Sequence, residues 1–273
     1  MQQARLELDG RTVCVDLGRP HELALRLDPR GAHPRHFGAP PARAEPLHIG
    51  EFSGAVARGA SCNCQVLTLI PHSHGTHTEC VGHLTIEPLD AYRTVPRGLL
   101  PAVVVSVRPA AADNCGEGTD PPPQAGDLLI TRAALERAWP QDAWQQARAA
   151  VVRTLPNAPD KAYGAEAARP PPYLSREAAQ WLSARGVEHL VVDVPSLDRC
   201  HDAGRLTAHR IFFGLPPGST ALAAAGRAAA TVTELAFVPD AVADGRYLLE
   251  LQVPALAGDA VPSRPLLYAV QDA

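Results

Sequence analysis

Apolar positions along the chain fall mostly into short runs rather than long helical periods. Val103-Val104-Val105-Ser106-Val107, Ala150-Val151-Val152-Arg153-Thr154 and Leu190-Val191-Val192-Asp193-Val194 are near-continuous apolar blocks of strand length, the pattern of strands covered on both faces. Helical patterns stand between them. Thr131 is placed to cap a helix after Leu128-Leu129-Ile130. Ser175 caps a second that carries Ala178, Ala179, Trp181 and Leu182 and stops at Gly186. Elsewhere the pattern predicts hairpins: Leu6–Leu8 with Thr12–Asp16 across Asp9-Gly10, and Thr231–Val238 with Tyr247–Val253 across Asp244-Gly245. Gln65–Ile70 reads as a buried strand running into a histidine-rich segment, and Leu266–Val270 as a closing strand. Residues 28–48 and 156–172 are Pro-rich loops. Strands outnumber helices, yet β-α-β stretches occur. The expected class is therefore mixed, β-rich α/β, and with no repeat or clean linker residues 1–273 are expected to form a single domain.

Composition narrows the function classes. The 273 residues are 46% hydrophobic and 20% charged, which fits an ordinary globular protein with a sizeable core. A net charge of −4 gives no electrostatic reason to expect a nucleic-acid or anionic-membrane partner, so a small-molecule substrate is the expectation. The opening residues hold no apolar run of signal-peptide length, and no stretch approaches the ~20 apolar residues of a membrane span. Six scattered cysteines do not make a disulfide framework. A cytoplasmic location with reduced thiols is expected. The 11 histidines are the informative excess, because they cluster.

Pro71-His72-Ser73-His74-Gly75-Thr76-His77-Thr78-Glu79-Cys80-Val81-Gly82-His83 puts four histidines, a glutamate and a cysteine within a dozen residues. Such groups at the end of a buried strand are costly to desolvate unless paired or bound to a metal. Imidazoles with a carboxylate suit a borderline divalent ion, zinc first and manganese second. Gly75 permits a tight backbone path. His77 and Glu79 alternate by two, so an extended backbone points both to one side. His72 and His74 both stand as candidates for a further ligand. His83, beyond Gly82, is the candidate acid/base. Cys80 falls on the opposite face and is expected to pack. In the 28–48 loop, His36 and Phe37 are candidate substrate contacts, with His33 beside them. Arg153 and Arg210 are candidates to steady a substrate carboxylate.

The segment resembles the signature H-x-G-T-H-x-D-x-P-x-H of the metal-dependent cyclase/kynurenine formamidase family. Gly75-Thr76-His77, Glu79 and His83 fall on its positions, with Glu79 for the aspartate, Val81 for the proline and Ser73 for the first histidine. His72, shifted by one residue, is taken as the replacement, with His74 as the alternative. The resemblance continues through Asp193-Val194-Pro195-Ser196-Leu197-Asp198, Ala208-His209-Arg210, Thr233-Glu234-Leu235 and the ending Pro262-Ser263-Arg264-Pro265. It implies a swivelling β/β/α-type fold and a homodimer or homotetramer. By the same resemblance, His72, His77 and Glu79 would hold one ion, and Glu79, His209 and Glu234 a second. The stretch between His209 and Glu234 exceeds the family spacing and includes an Ala-rich run, 221–230, which implies an altered pocket or interface.

The expected activity is metal-dependent hydrolysis of an amide, such as an arylformamide like N-formylkynurenine or a lactam, with one ion or two and His83 as acid/base. Two rivals remain at this point. One is a metal-assisted lyase, dehydratase or cyclase; the other is a family member that binds metal without catalysis.

Overall fold

A computed structural model gives the fold and describes residues 2–159, 161 and 170–273. Of the loop predicted at 156–172, residues 160 and 162–169 lie outside the described residues. Among the described residues the main sheet has eleven strands. In chain order they are β1 (Gln3–Leu8), β2 (Arg11–Asp16), β3 (His21–Glu22), β4 (His77–Cys80), β5 (Leu100–Val107), β6 (Ala149–Thr154), β7 (His189–Val192), β8 (Thr231–Glu234), β9 (Gly245–Gln252), β10 (Ala260–Pro262) and β11 (Arg264–Asp272). Their spatial order is β1-β2-β11-β9-β5-β6-β7-β8-β4-β10, with β3 added on β11.

The three apolar runs β5, β6 and β7 lie side by side in parallel at the centre, with β8 parallel beside β7. Val103, Val105, Val152, Val192 and Val232 face one layer, while Ala102, Val104, Val151 and Val191 face the other. This two-sided burial explains why β5, β6 and β7 read as near-continuous hydrophobic sequence. Helices α2 (Arg132–Ala138), α3 (Arg176–Ala184) and α4 (Thr207–Phe213) connect the parallel strands in turn. The helix layer supplies Leu135, Leu182, Phe212 and Phe213 to the first core. Each fully buried side chain of that size contributes about 1.5–3 kcal/mol. The predicted caps form: Thr131 Oγ1 accepts the Ala134 N–H at 3.1 Å and Ser175 Oγ accepts the Ala178 N–H at 2.9 Å.

Two predicted strand arrangements differ from the structure. The 231–253 hairpin does not form. β8 fills a slot between β7 and β4, while β9 pairs with β5 and β11. A fully buried strand such as β8 satisfies its backbone on both edges there, which a lone hairpin cannot do. Asp244, expected in the turn, instead accepts from Ser106 and Arg153. The strand expected at 65–70 runs only over Gln65–Thr68, pairs with Arg43–Pro46, and is exposed along its length. The burial of the histidine cluster therefore comes from β4, all four of whose residues are buried. Among the described residues, no helix is long and apolar enough to cross a membrane.

His189, at the start of β7, lies away from the cluster and is buried with its Nδ1 2.9 Å from Thr231 Oγ1. Burial first, then the charge of Arg148, hold its pKa down at about 4, against a partial pull upward from Glu188. An unfolded histidine titrates near 6.5, so on acidification the unfolded chain takes up this proton first. The contribution is intact above pH 6.5 and is lost as the pH falls toward 4, by roughly 3 kcal/mol. Urea unfolding at pH 7 and pH 4 should show a smaller acid penalty in His189→Asn by about that amount; equal penalties in variant and wild type would contradict this account.

Candidate metal centre

β4 and β8 run antiparallel with Glu234 opposite His77 and Val232 opposite Glu79. Directly opposed residues share a face, so His77, Glu79 and Glu234 all point toward the helix layer, where Val232 also packs. Gly75 makes this possible. It joins the single helical turn α1 (Pro71–His74) to β4 at φ 154°, ψ −170°, a region open essentially to glycine alone. The Gly75 carbonyl accepts the Nδ1–H of His77 at 3.0 Å, which turns His77 Nε2 inward.

Three further elements complete the cluster. α1 brings His72 Nδ1 to 3.1 Å from Glu79 Oε2. α4 brings His209 Nε2 to 2.9 Å from Glu79 Oε1 and 3.3 Å from Glu234 Oε1. The loop after β7 orients the last two. Asp198 accepts the His209 Nδ1–H at 2.7 Å and also the backbone N–H groups of Ala208 and His209 in the first turn of α4. The Leu197 N–H donates to Glu234 Oε1 at 2.8 Å. A buried carboxylate on the outer nitrogen of an imidazole fixes which nitrogen faces a metal. Asp193, at the start of the same motif, ties β6 to β7 by accepting from Thr154 and Lys161.

The charges in this cluster hold one another ionised against burial. Burial opposes charge on Glu79, but His209 and then His83 outweigh it and hold its carboxyl well below the usual range. Burial and repulsion from Glu79 oppose ionisation of Glu234, yet the imidazoles of His209 and His77 keep it low. His209 is raised well above an ordinary histidine, because Glu79 and Asp198 outweigh burial. His72 rises to about 10 against its own burial through Asp259 and Glu79.

Despite the short distances, His77 Nε2 and both oxygens of Glu79 are buried without an aligned hydrogen bond among the described residues. His72, His77 and Glu79 form one donor set and Glu79, His209 and Glu234 another, all donor atoms in a set lying within 4.8 Å of one another. Nitrogen and carboxylate donors at this spacing, with no better partners, fit a divalent ion.

The other predicted site residues separate cleanly. His74 is not a ligand candidate: its Nδ1 accepts the Ile70 N–H at 2.8 Å and its Nε2–H donates to the Pro40 carbonyl at 2.7 Å, which uses both ring nitrogens. Arg153 is also corrected. Its guanidinium donates to Ser106, Pro239, Val242 and Asp244 in a separate buried network, so four of its five N–H groups are spent there rather than toward the cluster. Arg210 likewise donates to the carbonyls of Arg205, Pro216 and Ser219. His33 is spent on its own loop, with Nε2 accepting the Ala42 N–H. The His36 N–H donates to the Ser73 carbonyl, which docks the 28–48 loop on α1 and leaves Phe37 47% exposed beside it. Cys80 faces away from the cluster, its thiol on the Leu89 carbonyl and pushed by burial up to about 11. His83 stands half-buried at the rim, its ring centroid 4.3 Å from that of His72. The insertion after His209 packs beside this rim, through Ile86 N–H to the Thr220 carbonyl and Leu222 N–H to Glu87.

Asp259 is the residue that sequence reasoning missed. It precedes β10 and reaches both His72 and His83, 187 and 176 positions away along the chain. The only local signal was its place just before Pro262-Ser263-Arg264. Asp198 was visible in its motif, but its role on His209 was not.

A family model for Cyclase, described as "Putative cyclase", matches residues 15–199. That span includes the 72–83 cluster and Asp198 but ends before His209, Glu234 and Asp259. A comparison with curated proteins finds no match. Among solved structures, a predicted metal-dependent hydrolase from Bacillus stearothermophilus superposes with a TM-score of 0.58 at 14% identity, over 92% of this chain and 98% of that one. Isatin hydrolase A from Ralstonia solanacearum gives 0.59 at 17% identity over 92% of each chain. An isatin hydrolase bound to the product analogue thioisatinate gives 0.56 at 16% identity over 93% of each. At these identities the likeness is one of fold.

Proposed function

The chain belongs to the Cyclase family, and from that premise we propose that it is a metal-dependent hydrolase that cleaves an amide bond in a small molecule, a cyclic amide or an arylformamide. One observation carries the reading. Two buried carboxylates, Glu79 and Glu234, face three imidazoles, and among the described residues the Glu79 oxygens and His77 Nε2 find no aligned hydrogen-bond partner. His72, His77 and Glu79 would hold one ion and Glu79, His209 and Glu234 a second, zinc first by donor chemistry and manganese second. A divalent ion bound there would supply Lewis-acid polarisation of the carbonyl and lower the pKa of water toward neutrality.

The chain's own groups do the rest. Asp198 and the Gly75 carbonyl hold His209 and His77 with Nε2 inward. His83, at the rim, takes a proton from the attacking water and delivers it to the leaving nitrogen. The water oxygen bonds to the carbonyl carbon as the C–N bond breaks, which leaves an amine and a carboxylic acid that keeps the second water proton until it ionises to solvent. Isatin hydrolases share the fold, and this supports a lactam as readily as an open-chain formamide.

The test is turnover of isatin and of N-formylkynurenine by zinc- and manganese-loaded protein in heavy-oxygen water. One solvent oxygen in the acid product is the expected result. Turnover without incorporation would assign lyase or cyclase chemistry instead, and inertness toward both amides would refute the substrate class.

A further inference from the structure

We propose that Asp259 is a positioning residue that sets the tautomers of two histidines at once, presenting His72 Nδ1 to the metal centre and leaving His83 Nε2 as the proton-accepting atom. The assignment deepens the hydrolase reading and rests on it for the role of His83. A single oxygen, Asp259 Oδ2, lies 2.9 Å from His72 Nε2 and 3.2 Å from His83 Nδ1. A carboxylate only accepts, so His72 donates through Nε2 and His83 through Nδ1. His72 Nδ1 lies 3.1 Å from Glu79 Oε2 and faces it as an N–H while no ion stands between them; once an ion is bound there, the bond from Nε2–H to Asp259 leaves Nδ1 as the nitrogen that would give its lone pair. For His83 it enforces the Nδ1–H form, the one a free imidazole disfavours, and turns the lone pair of Nε2 away from Asp259.

The carboxylate is well placed to enforce this. Its backbone carbonyl accepts the Cys80 N–H at 3.0 Å, and β10 pairs with β4 immediately after it, Ala260 opposite Glu79. On the other side the Gly258 N–H donates to Asp90 at 3.1 Å and the Gly258 carbonyl accepts from Ala91. Asp259 is thus fixed to the strand that carries His77 and Glu79. The arrangement also explains how a first histidine at 72 rather than 73 can serve. Ser73 is buried with its carbonyl on His36, whereas His72, one step along α1, meets a carboxylate that aims its ring.

The test uses the full-length, nitrogen-15-labelled, zinc-loaded protein, with imidazole tautomers read from two-bond nitrogen–proton correlations and zinc affinity from chelator competition. In wild type, His83 should carry its proton on Nδ1 and His72 on Nε2. In Asp259→Ala, His83 should revert to the Nε2–H form and zinc should bind about 10–100-fold more weakly. Asp259→Asn keeps the shape with a weaker acceptor and should fall between the two. Unchanged His83 tautomer and zinc affinity within twofold in both variants would overturn the inference. So would loss of one zinc per chain with the His83 tautomer unchanged, because Asp259 would then be a ligand. If the tautomers shift as expected but no amide is turned over, the hydrolase reading fails and the positioning of the two imidazoles stands.

Discussion

Chelator-stripped protein should melt on the order of 10 °C below the zinc-loaded protein, and restoring zinc should restore the difference. Folded chain alone offers the convergent donors His72, His77, Glu79, His209 and Glu234. An ion that binds only the folded state stabilises it by about 4 kcal/mol when free ion stands about 1,000-fold above Kd. For domains of about this size each kcal/mol moves the midpoint by roughly 2–4 °C. Glu79→Ala should abolish the zinc-dependent shift, because Glu79 belongs to both donor sets. Scanning calorimetry with and without chelator decides the matter. A midpoint indifferent to zinc in the wild-type protein would remove the metal centre from this account.

His83→Ala should lower kcat on a turned-over amide by about 10²–10⁴ while zinc content and melting temperature stay at wild-type values. The split follows from position. His83 is half-buried at the rim and lies outside the two sets built on Glu79, so truncation removes proton transfer and leaves the buried donors in place. Cys80→Ala is the matched control. Its thiol is buried, faces the opposite side of β4 and is held protonated, so turnover should change by no more than a few-fold. Elemental analysis beside steady-state kinetics reads both quantities. A His83→Ala protein that keeps full kcat, or one that loses its zinc, would show that His83 is not the acid/base.

Much of the frame was legible because it rests on local rules. The runs at 103–107, 150–154 and 190–194 are strands buried on both faces, and no other element of that length needs continuous apolar sequence. Thr131 and Ser175 cap helices because each side chain reaches an N–H three residues on. The 231–253 hairpin failed for the converse reason. Asp-Gly favours a turn, but the slot between β7 and β4 gives Thr231–Glu234 two partners, and pairing across a sheet is not a local property.

The site divides along the same line. Period-two spacing places His77 and Glu79 on one face of β4 whatever lies around them, and Cys80 on the other. Sequence therefore determined that an imidazole and a carboxylate would point together. It could not choose between His72 and His74, two residues apart on one short turn, because that choice is made by what each ring meets. His74 meets the Ile70 N–H and the Pro40 carbonyl and is consumed; His72 meets Glu79 and Asp259. Nor could it show that Arg153 is locked to Asp244, or that Asp259 would stand against residues more than 170 positions earlier. Backbone periodicity fixes direction over a few residues, but whether a polar group is free or spent depends on partners that only the closed sheet brings within hydrogen-bond reach.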